Sequence, residues 1–217
     1  MDLQFFDPKQ EYSVSWKSLP HWSQVGTICF ITWRTADSLP AAVVKRLSAE
    51  REDILQRFGL DPKSDLRAAL AQLPPSERGR AQSVLFNAWD TQLDRGAGEC
   101  VLARTELAQI VEKSLRHFDG DRYLLSDFVV MPNHVHVLVA FRDENSLLKQ
   151  CTSWKRFTGQ RIQASLGRHG PFWQVEQFDH LVRSEEQFVH LRRYIAENPK
   201  KAKLREGTYR HYSKKLN

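Results

Sequence analysis

His134 and His136 bracket a single valine within Met131-Pro132-Asn133-His134-Val135-His136-Val137-Leu138-Val139. Strand side chains alternate between faces, so two residues apart means the same face. Neighbouring neutral imidazoles form a ready pair of ligands for a divalent metal and leave room for oxygen donors from a phosphate, water or a third side chain. Magnesium or manganese polarising a phosphoryl oxygen suits such a pair. Zinc fits two histidines as well, so ligand type alone does not choose the metal. Sixty residues after His134 comes Tyr194, and four further on Asn198. A phenol with an ordinary pKa near ~10 needs a polarised target or a base to attack phosphorus at neutral pH. In a helix, Asn198 would fall one turn beyond Tyr194 on the same face. Pro199 disfavours helical geometry at Asn198, which would equally suit a C-terminal cap. Each residue also has a plainer role. Histidines on an apolar strand are often core residues, and a tyrosine beside the stripe Phe188, Leu191 and Ile195 is usually packing. As a set, they are coherent with cutting a phosphodiester.

The elements that must position them follow from periodicity and punctuation. Residues 1–24 alternate polar and aromatic without a clear period and read as an extended arm. Gly26–Trp33 is rich in β-formers and reads as the first strand. Residues 41–98 read as a helical insertion with helices over 41–58, 65–73 and 78–93, separated by Gly59, Pro62 and Pro74-Pro75. Thr105 could cap a helix reaching about Phe118, with Leu107, Ile110, Val111 and Leu115 on one stripe. Tyr123–Met131 and His134–Phe141 form a hairpin about Pro132-Asn133, with Val135, Val137 and Val139 facing the core and His134, His136 and Leu138 opposite. Asn145-Ser146 opens a long helix to about Leu166, with Leu147, Cys151, Trp154, Thr158 and Ile162 inward. Short β pieces are expected near Phe172–Val175 and Asp179–Val182. Ser184 and Gln187 form a capping box for a helix over Glu185–Glu197. Without the insertion, the order is βαββαβ plus one helix. That predicts an α+β, ferredoxin-like antiparallel sheet with helices on one face, a C-terminal catalytic helix and a basic tail over 199–217.

A chain of 217 residues fits a single domain with a substantial core. The formal charge of +6 favours a polyanionic partner, although a basic surface can also be merely solvated. Cys29, Cys100 and Cys151 are odd in number and lack metal-ligand spacing, which fits reduced thiols in a cytoplasmic protein. Phe5-Phe6 is followed at once by Asp7-Pro8-Lys9, unlike a signal peptide. No apolar run approaches the ~20 residues of a membrane span.

The string Met-Pro-Asn-His-Val-His at 131–136, with Tyr194-Ile195-Ala196-Glu197-Asn198-Pro199 and Ala202, resembles the single-tyrosine HUH transposases, and among them the REP-associated tyrosine transposases of bacteria. Leu19-Pro20-His21-Trp22, Phe30-Ile31-Thr32-Trp33-Arg34, Leu39-Pro40, Leu93-Asp94-Arg95-Gly96, Phe172-Trp173-Gln174, Phe178-Asp179-His180 and Arg183 extend the likeness over almost the whole chain. The resemblance implies that His134 and His136 bind the metal, that Tyr194 becomes linked to a DNA 5′ phosphate, and that Asn198 completes the metal site. The leaving 3′ hydroxyl could later attack the phosphotyrosine and rejoin the strand. No ATP or other nucleotide cofactor is implied. Asp179 and His180 match a family string but have no derived role; a turn and a short strand would account for them. The insertion is longer than a minimal catalytic domain requires. The ending Tyr209-Arg210-His211-Tyr212-Ser213 only loosely matches the family pattern, which puts tail-dependent DNA recognition in doubt.

The implied partner is single-stranded or hairpin-forming palindromic DNA. Lys149, Lys155, Arg156 and Arg161 could track a phosphate backbone, or simply form a solvated helix face. Lys200, Lys201 and Lys203 directly follow Tyr194 and are expected near the bound strand, and Arg183 joins them as a DNA-contact candidate. Trp16, Trp22 and Trp173 could stack bases, with burial the plainer role. Two other readings stand beside the strand transferase: a non-catalytic DNA-hairpin binder, and a metal-dependent nuclease using water. A monomer is expected, with a dimer possible.

Overall fold

The computed structural model describes residues 3–16, 20–39, 41–64, 66–94, 96–143 and 146–215. Pro40, Asp65 and Asn145 lie outside them, as do the side chains of Trp16 and of several residues in the insertion, Leu93 and Asp94 included. The elements in chain order are β1 (Ser13–Trp16), β2 (Pro20–Ser23), β3 (Ile28–Arg34), α1 (Ala41–Arg57), α2 (Leu66–Ala71), α3 (Pro75–Asp94), α4 (Thr105–Arg116), β4 (Tyr123–Val130), β5 (His134–Phe141), α5 (Ser146–Ser165), β6 (Phe178–Leu181), α6 (Glu185–Lys201) and β7 (Arg210–Ser213).

Five strands form one antiparallel sheet in the order β6-β3-β5-β4-β7. The first four reproduce the ferredoxin-like arrangement expected from the sequence. β3, β4 and β5 read as nearly unbroken apolar runs because the sheet is covered on both faces. On one face Cys29, Ile31, Trp33, Val135, Val137 and Val139 pack against Leu107, Val111 and Leu115 of α4 and Leu147, Cys151, Trp154 and Ile162 of α5. On the other, Ile28, Phe30, Val129 and Leu138 meet Phe188, Leu191 and Ile195 of α6. The two crossover helices thus share one face, and the tyrosine helix packs on the opposite face, joined there by Leu3 and Phe5 of the N-terminal arm.

The insertion carries its own small core of Leu55, Leu60, Ala69, Leu70, Leu73 and Ala81. Its two ends are tied together where it leaves the sheet, the Glu99 amide donating to Asp37 Oδ2 at 2.8 Å, and the far end is also held to the β4–β5 turn, where Asn133 Nδ2 donates to Ala97 O at 3.0 Å. Its third helix begins at Pro75, earlier than expected, because proline suits the first turn, where its missing N–H costs nothing.

Several boundaries differ from expectation for local reasons. The N-terminal arm contains a hairpin, β1 paired with β2 in the register Ser13↔Ser23, and Gln4 bridges Thr27. Residues 172–175 are not a strand: only Trp173 bridges, to Thr35. Thr105 is not the cap of α4; Arg104 holds that position, and Thr105 Oγ1 donates to Gly207 O at 3.0 Å. The last helix runs past Glu197 to Lys201 with Pro199 inside it. Pro199 falls in the final turn, so only one ladder hydrogen bond is lost. Asn198 is therefore a helical residue rather than a cap. The tail is not a loose extension either, since β7 pairs with β4 from Asp127↔Ser213 to Val130↔Arg210.

Candidate metal and tyrosine site

The alternation of β5 sends His134 and His136 to the α6 face, with ring centroids 4.7 Å apart. Both are fully buried. α6 crosses this face and directs Tyr194 at them: its hydroxyl is 3.5 Å from His136 Nε2, and Asn198 Nδ2 is 3.4 Å from the same nitrogen. Residues far apart in sequence thus converge because a two-residue period on a strand meets a four-residue period on a helix. Phe30 floors the site, stacked on His136 at 5.4 Å and edge-on to Tyr194 at 6.0 Å.

Hydrogen bonds behind the imidazoles orient them. Asn133 donates its Nδ2 to Ala97 O, so its Oδ1 faces His134 Nδ1 at 2.7 Å. An amide oxygen only accepts, so His134 Nδ1 carries the proton and Nε2 keeps its lone pair. His136 Nδ1 lies 2.7 Å from Thr32 Oγ1, which likewise directs Nε2 toward Tyr194 and Asn198. Burial holds both imidazoles neutral: it pulls His136 down to about 3 and His134 well below its ordinary value, with His136 adding to the latter shift.

This donor set fits a divalent cation. Among the described residues no group of three or more His, Cys, Asp or Glu could hold a metal. The protein donors here are therefore two imidazoles and an amide. Asn198 Oδ1 is buried with no hydrogen-bond partner among the described residues, and an unmet buried oxygen of this kind is what a hard cation uses.

The helix bearing the tyrosine is clamped from behind. Arg192 Nε donates to Asp127 Oδ2 at 2.8 Å, and its Nη2 donates to Ser213 Oγ and Lys214 O, both at 2.7 Å. At its start, Ser184 Oγ accepts from the Gln187 amide at 3.2 Å while Gln187 Oε1 accepts from the Arg183 amide at 2.8 Å, close to the expected capping box.

Among solved structures, the chain is similar to a REP-associated tyrosine transposase bound to a REP hairpin, with 13% identity over 83% of this chain and 71% of that one, at a TM-score of 0.41. It is also similar to a candidate transposase from Deinococcus radiodurans R1, with 14% identity over 79% of this chain and 89% of that one, at a TM-score of 0.27. No family model and no curated protein matches the chain. Likenesses this distant transfer no chemistry, which has to come from the site itself.

The other candidate residues divide sharply. Lys200, Lys201 and Lys203 are exposed at the end of α6, and Lys201 Nζ lies 5.3 Å from the Tyr194 ring centroid. Arg183 is exposed just before α6. Lys155 and Arg156 are on α5, across the sheet from Tyr194, and Lys155 Nζ donates to Val175 O at 2.7 Å and to Gln177 Oε1 at 2.8 Å. They do not join the site. Nor does Asp179. It shares the α5 face with its cross-strand partner Ile31, and its Oδ1 is 2.5 Å from His21 Nδ1, buttoning the N-terminal hairpin to the sheet. Burial raises its carboxyl against the pull of His21. His180 is on the tyrosine face, 5.4 Å from Phe30, which separates it from His136, and burial with Arg183 lowers it to about 4. Trp173 is buried, with Nε1 donating to Thr158 Oγ1 at 2.8 Å, and Trp22 stacks on Tyr12. Among the described residues no helix is long and apolar enough to cross a membrane.

Sequence reasoning missed Asn133 and Thr32 as supports of the imidazoles. Strand parity could have found Thr32, two residues from Phe30 on the same face. Asn133 was visible only as a turn residue.

Proposed function

We propose that this protein is a REP-associated type of tyrosine transposase, a metal-dependent DNA strand transferase acting on single-stranded or hairpin-forming palindromic DNA. One observation carries the reading: the Tyr194 hydroxyl lies 3.5 Å from His136 Nε2, which also has Asn198 Nδ2 at 3.4 Å and the His134 ring beside it. His134 Nε2, His136 Nε2 and Asn198 Oδ1 would hold a magnesium or manganese ion. Bound there, the ion supplies Lewis-acid polarisation of a phosphoryl oxygen.

The chain's own residues account for the rest. Tyr194 Oη forms a bond to phosphorus as the bond from phosphorus to the 3′ oxygen breaks, leaving a 5′ phosphotyrosine and a free 3′ hydroxyl. The phenol proton passes to solvent, and the 3′ oxygen takes one up. The reverse attack by a 3′ hydroxyl rejoins the strand. The Arg192 to Asp127 clamp keeps α6 in place while the covalent link is carried. Lys200, Lys201 and Lys203 offer charge to the flanking phosphates.

The test is a labelled single-stranded palindrome incubated with manganese or magnesium, comparing wild type with Tyr194→Phe. A covalent protein–DNA adduct formed only by wild type and lost with chelator is the expected result. Cleavage that persists in Tyr194→Phe would mean a nuclease using water. Tight binding without any cleavage would mean a DNA-hairpin binder.

A further inference from the structure

Arg34 ends β3 directly opposite His134 in the β3–β5 register. Phe30, Thr32 and Arg34 share one parity. Phe30 stacks on His136 and Thr32 is 2.7 Å from its Nδ1, so Arg34 belongs to the same face as the imidazoles. Directly opposed residues bring their Cβ atoms to about 5 Å. The side chain is half-buried, and Nη1 reaches the buried Ser38 Oγ at 3.3 Å. Burial pulls its guanidinium down to about 10, still charged at neutral pH. A planar guanidinium fork matches two oxygens of one phosphate, and from this register position it would meet the same phosphate that a cation on the imidazoles would engage.

We propose that Arg34 is a phosphate-binding residue of this site, contacting the scissile phosphodiester from the His134 side. The assignment rests on the strand-transferase reading above. It places a fixed positive charge where negative charge grows as Tyr194 Oη bonds to phosphorus.

The test uses a labelled palindromic hairpin with single-stranded flanks, its cleavage position first mapped with wild type. Arg34→Gln should slow adduct formation about 10²–10³-fold, the usual cost of losing one donor to developing charge. Ser38→Ala leaves the guanidinium in place and should stay within roughly threefold of wild type. A readout free of chemistry comes from anisotropy in EDTA with the Tyr194→Phe protein. Replacing the mapped linkage by a neutral methylphosphonate should weaken binding about tenfold, and adding Arg34→Gln should cost nothing further on that substrate. Three results would overturn the assignment: Arg34→Gln within threefold of wild type, Ser38→Ala reproducing its defect, or methylphosphonate binding unchanged in the protein with Arg34 intact. The last needs no Arg34 variant to fold. Absence of any adduct with wild type would instead remove the strand-transferase reading, and this assignment with it.

Discussion

Asn133 Oδ1 accepts from His134 Nδ1 at 2.7 Å while its Nδ2 donates to Ala97 O at 3.0 Å. One amide therefore sets the tautomer of a candidate metal ligand and holds the neck of the insertion. Asn133→Ala should lower manganese affinity by about 10–100-fold, as for other residues behind metal-bound histidines. Asn133→Asp keeps an acceptor for Nδ1 and should retain more affinity than alanine. Calorimetric titration of manganese into each protein measures this, and equal affinity in all three would refute the role.

The clamp on α6 makes a second prediction. Asp127 is 1% exposed, and Arg192 is its ion-pair partner. Arg192→Ala leaves that carboxylate buried without its guanidinium, which should cost about 3 kcal/mol and lower Tm by about 10 °C for a chain of this size. Urea and thermal unfolding would measure it. A change below about 1 kcal/mol would mean the pair is solvated and does not hold the helix.

Acid should destabilise the fold through its buried histidines. His136 at about 3 and His180 at about 4 both lie below the ordinary value of 6.5, and His134 shifts the same way. The unfolded chain takes up protons on these rings below 6.5 while the native protein does not, so stability falls as pH drops from 6.5 toward 4. The raised Asp179 carboxyl acts in the opposite direction but is a single group. Urea midpoints at pH 7, 5.5 and 4.5 should decrease in order, and His180→Gln should flatten the slope.

The neck allows a deletion. Asp37 and Glu99 are joined by a hydrogen bond across the base of the insertion, whose core is largely its own. Replacing residues 41–95 by a short glycine-serine link should leave a cooperatively unfolding sheet. Gly98 sits at φ +92, and any side chain there would bring its Cβ to 2.8 Å from Asp37 O, so substitution strains the neck. Gly98→Ala should cost on the order of 1–3 kcal/mol. Non-cooperative melting of the shortened protein would show that the sheet depends on the insertion.

Strand parity made most of this site legible. The valines of β5 face one core and the histidines the other, as the alternation required, and the four-residue step from Tyr194 to Asn198 survived Pro199. Packing is why it survived: the fully buried Asn198 sits against His136, and tertiary contact outweighs a pre-proline preference. The β1–β2 hairpin and β7 were not legible, because four-residue strands of mixed polarity carry no clear period. Their places come from partners distant in sequence: Asp179 for the hairpin and β4 for the tail. The place of the basic residues on α5 was not legible for a related reason. Composition reports charge and not the side of the sheet, and only the fold sets Lys155 across the sheet from Tyr194, with its Nζ donating to Val175 O, while Lys201 lies beside the Tyr194 ring.

β7 also has a protective side. β4 is eight residues long, buried on nearly every position, and would be a bare edge without β7. Such an edge offers a row of free amides and carbonyls to any extended chain nearby. The strand that covers it is short, alternates half-buried with exposed positions and carries Arg210 and His211. It swaps a sticky, apolar margin for a brief polar one that is a poor template for further pairing. Trimming the chain before Arg210 would thus do more than loosen Arg192: it would leave β4 as an open apolar edge inclined to pair with further chains.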